Sequence, residues 1–285
     1  MTTRNIKRIV RGVATQDGAG VKLTRVIGNR DVYDFDPFLM LDAFDSNNPD
    51  DYTKGFPPHP HRGIETVTYL VEGEIEHVDS LGNKGVIRSG DCQWMTAGSG
   101  IIHSEMPKAS PHMLGLQFWI NLPRAHKMAP PKYHGATAEH IPVVAREGAV
   151  VRVIAGEYDG VPGALQADYV QADLLDVEIE RGVEWRVETP HDMTVYLYIL
   201  SGAGAFGEGS EQETVIQKNA VLFTPGDEIR VWAGGNGVRF VLCMAMPLGE
   251  PVAWGGPIVM NTEQELEEAY IELNNGTFIK DAAAV

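Results

Sequence analysis

The apolar positions of this chain fall in short runs, broken by Gly, Pro, Asn and Asp at intervals of roughly 8–12 residues. Examples are 65–71 (ETVTYLV), 115–120 (GLQFWI), 150–154, 194–200 (TVYLYIL), 220–223 and 238–244 (VRFVLCM). Short runs at this spacing predict an all-β protein of the sandwich or barrel type. Gly82-Asn83, Gly234-Gly235 and Asn236-Gly237 stand where hairpin turns are expected, because these residues reach positive φ at little steric cost. One helix is predicted near the end. Thr262 and Glu265 have capping-box spacing, the acids that follow suit the positive end of the helix dipole, and Asn275-Gly276 can end it in a left-handed turn.

The pattern repeats weakly. Residues 71–76, 87–91 and 96–98 find counterparts in 200–204, 220–223 and 224–227. Each set reads as strand, glycine turn, strand, then a Gly-Asp or Pro-Gly corner. Two copies of one β unit account for 285 residues, a length that suggests one large domain or two. The segment 122–143 carries three prolines in its first half and three histidines, and reads as the linker. The expected units are therefore 1–143, linker included, and 144–285, ending in the helix.

Composition narrows the class. Hydrophobic residues are 44% and charged residues 22%, which excludes wholesale disorder. Cys92 and Cys243 cannot build a disulfide framework and read as buried. No apolar run is long enough to span a membrane, and no secretory signal is evident, so the expected location is the cytoplasm. Residues 1–147 hold 16 basic and 17 acidic groups, and residues 148–285 hold 7 and 22. A net charge of −16 argues against direct nucleic-acid binding. Residues 1–30 are basic, with seven basic groups and one acid. They could dock on the acidic half, within one chain or between chains.

The strongest chemical signal is His59-Pro60-His61. On an extended strand, side chains two apart share a face, so both imidazoles converge, and imidazole is a common metal ligand. Pro57, Pro58 and Pro60 stiffen the segment. His103 and Glu105 are also two apart. Pairing the two segments side by side puts three imidazoles and a carboxylate around one point. Such a set leaves coordination positions open, the mark of a catalytic site. His77, His112, His126, His134 and His140 read as solvated, and Trp94, Met95, Gln117, Phe118 and Trp119 as core. No phosphate loop, dinucleotide motif or serine elbow is present.

The spacings G-x-x-x-H-x-H-x-x-x-E (55–65) and G-D-x-x-x-x-T-A-G-x-G-x-x-H (90–103) resemble the two motifs of the cupin superfamily. Residues 58–69, 93–98 and 100–107 are similar to pirins in particular, and the likeness extends to 255–262. It implies two tandem cupin barrels (double-stranded β-helix, jelly-roll) and a short C-terminal helix. It also implies a metal held in the N-terminal barrel by His59, His61, His103 and Glu105, with Glu105 also catalytic. In many cupins the glutamate of the first motif is itself a ligand. Here Glu65 is expected to act behind the ligands, orienting an imidazole, and Phe56 to line the mouth. No H-x-H follows residue 147, His191 is the only histidine there, and 224–230 (TPGDEIR) occupies the second barrel's histidine corner. A barrel without metal is expected, as in pirins.

The resemblance implies quercetin 2,3-dioxygenase activity, in which O2 opens a flavonol ring and carbon monoxide leaves. The expected cofactor is one divalent transition metal, Fe(II) first, with Mn, Co, Ni, Cu or Zn accepted by the same donors. The expected partners are a planar aromatic substrate such as a flavonol, and O2. The alternative the resemblance offers is a metal-dependent regulator that binds a transcription factor or a metabolic enzyme. A third is another cupin reaction, such as isomerisation or decarboxylation of a small acid.

Overall fold

The computed structural model describes residues 1–208 and 212–280. These form two all-β units and one α-helix, Glu263–Asn274. The helix begins as the sequence suggests. Thr262 Oγ1 accepts from the Glu265 N–H at 3.2 Å, and Glu265 Oε2 accepts from the Thr262 N–H at 2.9 Å. Gly276 follows with φ +72°. None of the described helices is long and apolar enough to cross a membrane.

The units are not the two contiguous halves expected. One comprises Val13–Asp34, Phe38–Ala138 and Leu248–Val285. The other comprises Met1–Gly12, Phe35–Pro37 and Glu139–Pro247. The C-terminal helix therefore belongs to the unit with the histidine motif, and of the basic head residues 1–12 belong to the acidic unit and 13–30 to the histidine-bearing one. The reason for the second exchange is a strand pairing. Ile6–Arg11 runs antiparallel to Asn219–Phe223, and the buried Arg4 donates to Thr189 Oγ1 and to the carbonyls of Pro190, His191, Met193 and Thr224. The first part of the basic head thus packs on the acidic half within the chain.

The histidine-bearing unit has two main antiparallel sheets and a two-stranded one, Ala253–Gly255 with Ile258–Met260. The larger has seven strands in the order Lys132–Ala136, Cys92–Thr96, Ile64–Glu72, Met113–Asn121, Phe38–Ser46, Val21–Ile27 and Val13–Asp17. The smaller has four, in the order Phe56–His61, Ile101–Pro107, Glu74–Asp79 and Lys84–Arg88. Gly73, at φ +118°, lets the chain pass from Ile64–Glu72 in one sheet to Glu74–Asp79 in the other. The expected linker is partly structure, because Lys132–Ala136 pairs with Cys92–Thr96.

The other unit is built on one nine-stranded sheet. Its two long strands, Thr194–Phe206 and Glu228–Ala245, pair with each other. The expected turns at Gly234-Gly235 and Asn236-Gly237 do not occur, since these residues lie inside Glu228–Ala245. The glycines bend the strand instead of reversing it. Residues on their N-terminal side pair with Glu184–Glu188, and residues on the other side pair with Ala172–Ile179. Leu197, Ile199, Val231, Phe240 and Leu242 belong to its apolar core.

Candidate metal centre

Three strands of the smaller sheet set the site. Ile101–Pro107 lies in the middle, and its residues 101, 103, 105 and 107 are buried while those between are partly exposed. That alternation carries His103 and Glu105 to one face. On one side the register sets His103 opposite His59, and Glu105 opposite Phe56. The ladder shifts between these two pairs, where Pro57 and Pro58 have no N–H to donate. On the other side His103 faces Asp79 and Glu105 faces His77.

His59, His61 and His103 form one group, with ligand nitrogens within 4.8 Å of one another. Their rings sit 4.4 to 5.0 Å apart, centroid to centroid. Hydrogen bonds decide two of the tautomers. His59 Nδ1 lies 2.9 Å from Pro57 O, and His61 Nδ1 lies 3.1 Å from Pro257 O. A carbonyl oxygen can only accept, so each Nδ1 carries the ring proton. In its neutral form each ring then has a bare Nε2, and these two atoms stand 3.1 Å apart. Two lone pairs at that distance repel each other; a shared cation is the partner they suit. Burial, helped by His59, pushes the His61 pKa down to about 3, which keeps its ring neutral.

His103 supports the same conclusion. Both its ring nitrogens are buried without a hydrogen-bond partner among the described residues. A buried polar group left this way costs free energy, unless a ligand takes the lone pair. Burial, then the neighbouring imidazoles, holds its pKa well below the ordinary histidine value. The donor set fits a divalent transition metal.

Glu105 does not join the first group. It forms a second one with His103 and His77, so His103 is shared. Thr68 Oγ1 donates to Glu105 Oε1 at 3.1 Å and Gln117 Nε2 donates to Oε2 at 2.8 Å. Thr68 and Gln117 are cross-strand partners, so one rung of the larger sheet holds the carboxylate. His77 is not solvated as expected; it is fully buried. Its Nε2 lies 3.3 Å from Asp79 Oδ2 and its Nδ1 lies 3.3 Å from the Gln93 amide nitrogen. Both nitrogens are engaged, so His77 offers no lone pair to a metal. The alternation Ile75, His77, Asp79 was the signal that could have placed it inside.

The site opens on a cavity of about 590 Å³. Phe56 lines it, as do Gln117 and Trp119, which the sequence suggested were core. Trp119 stands edge-on to His61 with ring centroids 5.0 Å apart. Trp254 and Pro257 close another wall, a contribution no side-chain motif announces. Arg25 also lines the cavity and bonds both oxygens of the buried Asp42. Glu65 lies outside both histidine groups and accepts from Thr96 Oγ1 at 2.7 Å. Of the other candidates, His126, His134 and His140 are exposed, and His112 is half-buried between Asp45 and Glu72. Cys92 and Cys243 are buried thiols whose pKa values burial pushes up.

Comparison with known proteins places the fold. The family described as Pirin matches residues 20–120, and the Pirin C-terminal cupin domain matches residues 174–279. A pirin-like protein of Caulobacter vibrioides is 42% identical over 98% of this chain and 100% of its own length. A Pseudomonas aeruginosa protein, named as a candidate quercetin 2,3-dioxygenase, is 41% identical over 96% of this chain and 97% of its own. The crystal structure of a quercetin 2,3-dioxygenase from Acinetobacter baumannii aligns with a TM-score of 0.88 at 32% identity, covering 97% of this chain and 98% of that one.

Proposed function

Since the chain belongs to the pirin family of paired cupin barrels, we propose that it is a metal-dependent quercetin 2,3-dioxygenase. One observation carries the reading. A partly exposed His59 and a buried His61 bring their Nε2 atoms within 3.1 Å of each other, beside a His103 with no hydrogen-bond partner among the described residues, and His59 and His61 both line an aromatic-walled cavity. The likeness to an Acinetobacter baumannii quercetin 2,3-dioxygenase supports the substrate class.

His59, His61 and His103 would hold the metal, with Glu105 as the fourth donor, and iron(II) is the metal we assign. A bound transition metal supplies a Lewis acid and an O2-binding centre. The chain supplies the rest. Phe56 and Trp119 give the cavity flat apolar walls that suit a planar flavonol and exclude water. The carbonyls of Pro57 and Pro257 fix the rings of His59 and His61. Glu105 takes the proton of the flavonol hydroxyl on a carboxylate oxygen. Thr68 and Gln117 keep that carboxylate in place. The flavonol ring then opens with both atoms of O2 retained in the product, and carbon monoxide leaves.

The test is oxygen uptake with quercetin by protein reconstituted with Fe(II), with His61→Ala as control. Uptake in the wild type that vanishes in a folded, metal-free His61→Ala supports the reading. Stoichiometric metal without uptake rejects the dioxygenase and favours a regulatory binding protein. Unfolding of the wild type on chelation would make the metal structural.

A further inference from the structure

Pro257 reaches His61 from far along the chain, and something must hold it there. Residues 257–259 run beside 61–63. Arg62 bridges Ile258 in parallel register, and the Val259 N–H donates to Arg62 O at 3.1 Å. The approach is so close that a Cβ on Gly63 would lie 1.9 Å from Val259 O.

Lys127 sits at this junction. Its side chain is buried, 3% exposed, and burial pushes its pKa down to about 7. Its ammonium has three N–H groups and uses all three. They go to Gly63 O at 2.8 Å, Val259 O at 2.8 Å and Asn121 Oδ1. One acceptor belongs to the histidine motif's strand connection, one to the Met113–Asn121 strand, and one to the C-terminal segment. Arg62 adds a second clamp further along, donating to Ser99 O and Phe278 O and lying 4.2 Å above the Phe278 ring.

We infer that Lys127 is a positioning residue for the metal centre. It fixes the 257–259 backbone so that Pro257 O holds His61 in its Nδ1–H tautomer. The inference rests on His61 being a ligand. It has a reciprocal consequence: if the segment prepares His61 for the metal, a metal on His61 must steady the segment by the same free energy.

Zinc, which is redox-inert, is the probe, and hydrogen exchange and imidazole 15N spectra are the readouts. In the wild type, zinc slows exchange of the Val259 amide. In Lys127→Met, which keeps the volume and removes the donors, the His61 Nδ1–H signal of the metal-free protein is lost. Zinc binding weakens there by about 10–100-fold, the usual effect of removing an outer partner of a ligand, while far-UV circular dichroism is unchanged. An unchanged His61 signal with unchanged zinc affinity in a folded Lys127→Met would overturn the inference. If that variant does not fold, the wild-type measurement decides, and Val259 exchange indifferent to bound zinc is then the contrary result. A wild type that binds no zinc at all would defeat the metal reading, but the metal-free His61 spectra would still test the positioning.

Discussion

The two barrels both have apolar cores but differ in what else they bury. Facing strands in the acidic unit fill their interior with Leu197, Ile199, Val221, Phe240 and Leu242. Its buried carboxylate, Asp176, is matched by Arg239 at 2.7 and 2.9 Å. The histidine-bearing unit buries, beside its apolar clusters, His61, His77, Asp79, His103 and Glu105. Every one of these groups costs free energy to remove from water, and His103 has no partner to offset it. The fold tolerates either filling, so activity resides in the side chains and not in the barrel. What the difference teaches is directional: a buried polar group kept without a hydrogen-bond partner marks where a ligand belongs.

The contrast can be broken from the apolar side first. Phe240→Ala in the acidic unit removes a fully buried ring and should lower stability by about 3–5 kcal/mol, read as a shift in denaturant midpoint. A loss below about 1 kcal/mol would mean that this core is not the close-packed one described.

It can be sharpened from the polar side. His103→Leu makes the first barrel resemble the second. In metal-free protein the change should raise stability by about 1–3 kcal/mol, because a buried group without a partner is removed, while zinc binding is abolished. A metal-free protein that becomes less stable would show that His103 already has a partner worth keeping.

The smallest effect comes from a histidine of the opposite kind. His112 is half exposed and lies 2.9 Å from both Asp45 and Glu72. The Asp45 hydrogen bond, with Glu72 adding, raises its pKa above the ordinary value. A raised folded pKa means the stabilisation is fully present below the unfolded value, about 6.5, and is lost as pH rises through the folded one. His112→Gln should flatten that part of the stability–pH curve by under about 1 kcal/mol, since solvent screens the pair. A curve that keeps its slope in the variant would assign the pH dependence elsewhere.

Local features were the legible ones. Strand alternation, the helix cap at Thr262 and the shared face of His103 and Glu105 follow from residue spacing, and the structure carries each of them. Long-range features were not. Nothing in the spacing says that Ile6–Arg11 pairs with Asn219–Phe223, since strand partners are chosen by whole-fold packing. Gly234 to Gly237 have turn chemistry but serve as a bend inside a strand, because the two ends find different neighbours. Gln117 and Trp119 are buried as their alternation suggests, Trp119 in an apolar cluster, and both also line the cavity, because a core face and a cavity wall share one pattern. Pro257 contributes a carbonyl, a group that every residue has.

The exchange of segments between the units also sets an order on protein synthesis. His59, His61 and His103 leave the ribosome before the main body of the acidic unit, and Pro257 and Val259 leave after it. Domains usually fold in the order they are made. Here the earlier unit must wait for backbone translated much later before His61 receives its carbonyl partner. A nascent or prematurely terminated chain therefore carries the histidines before His61 has its carbonyl partner.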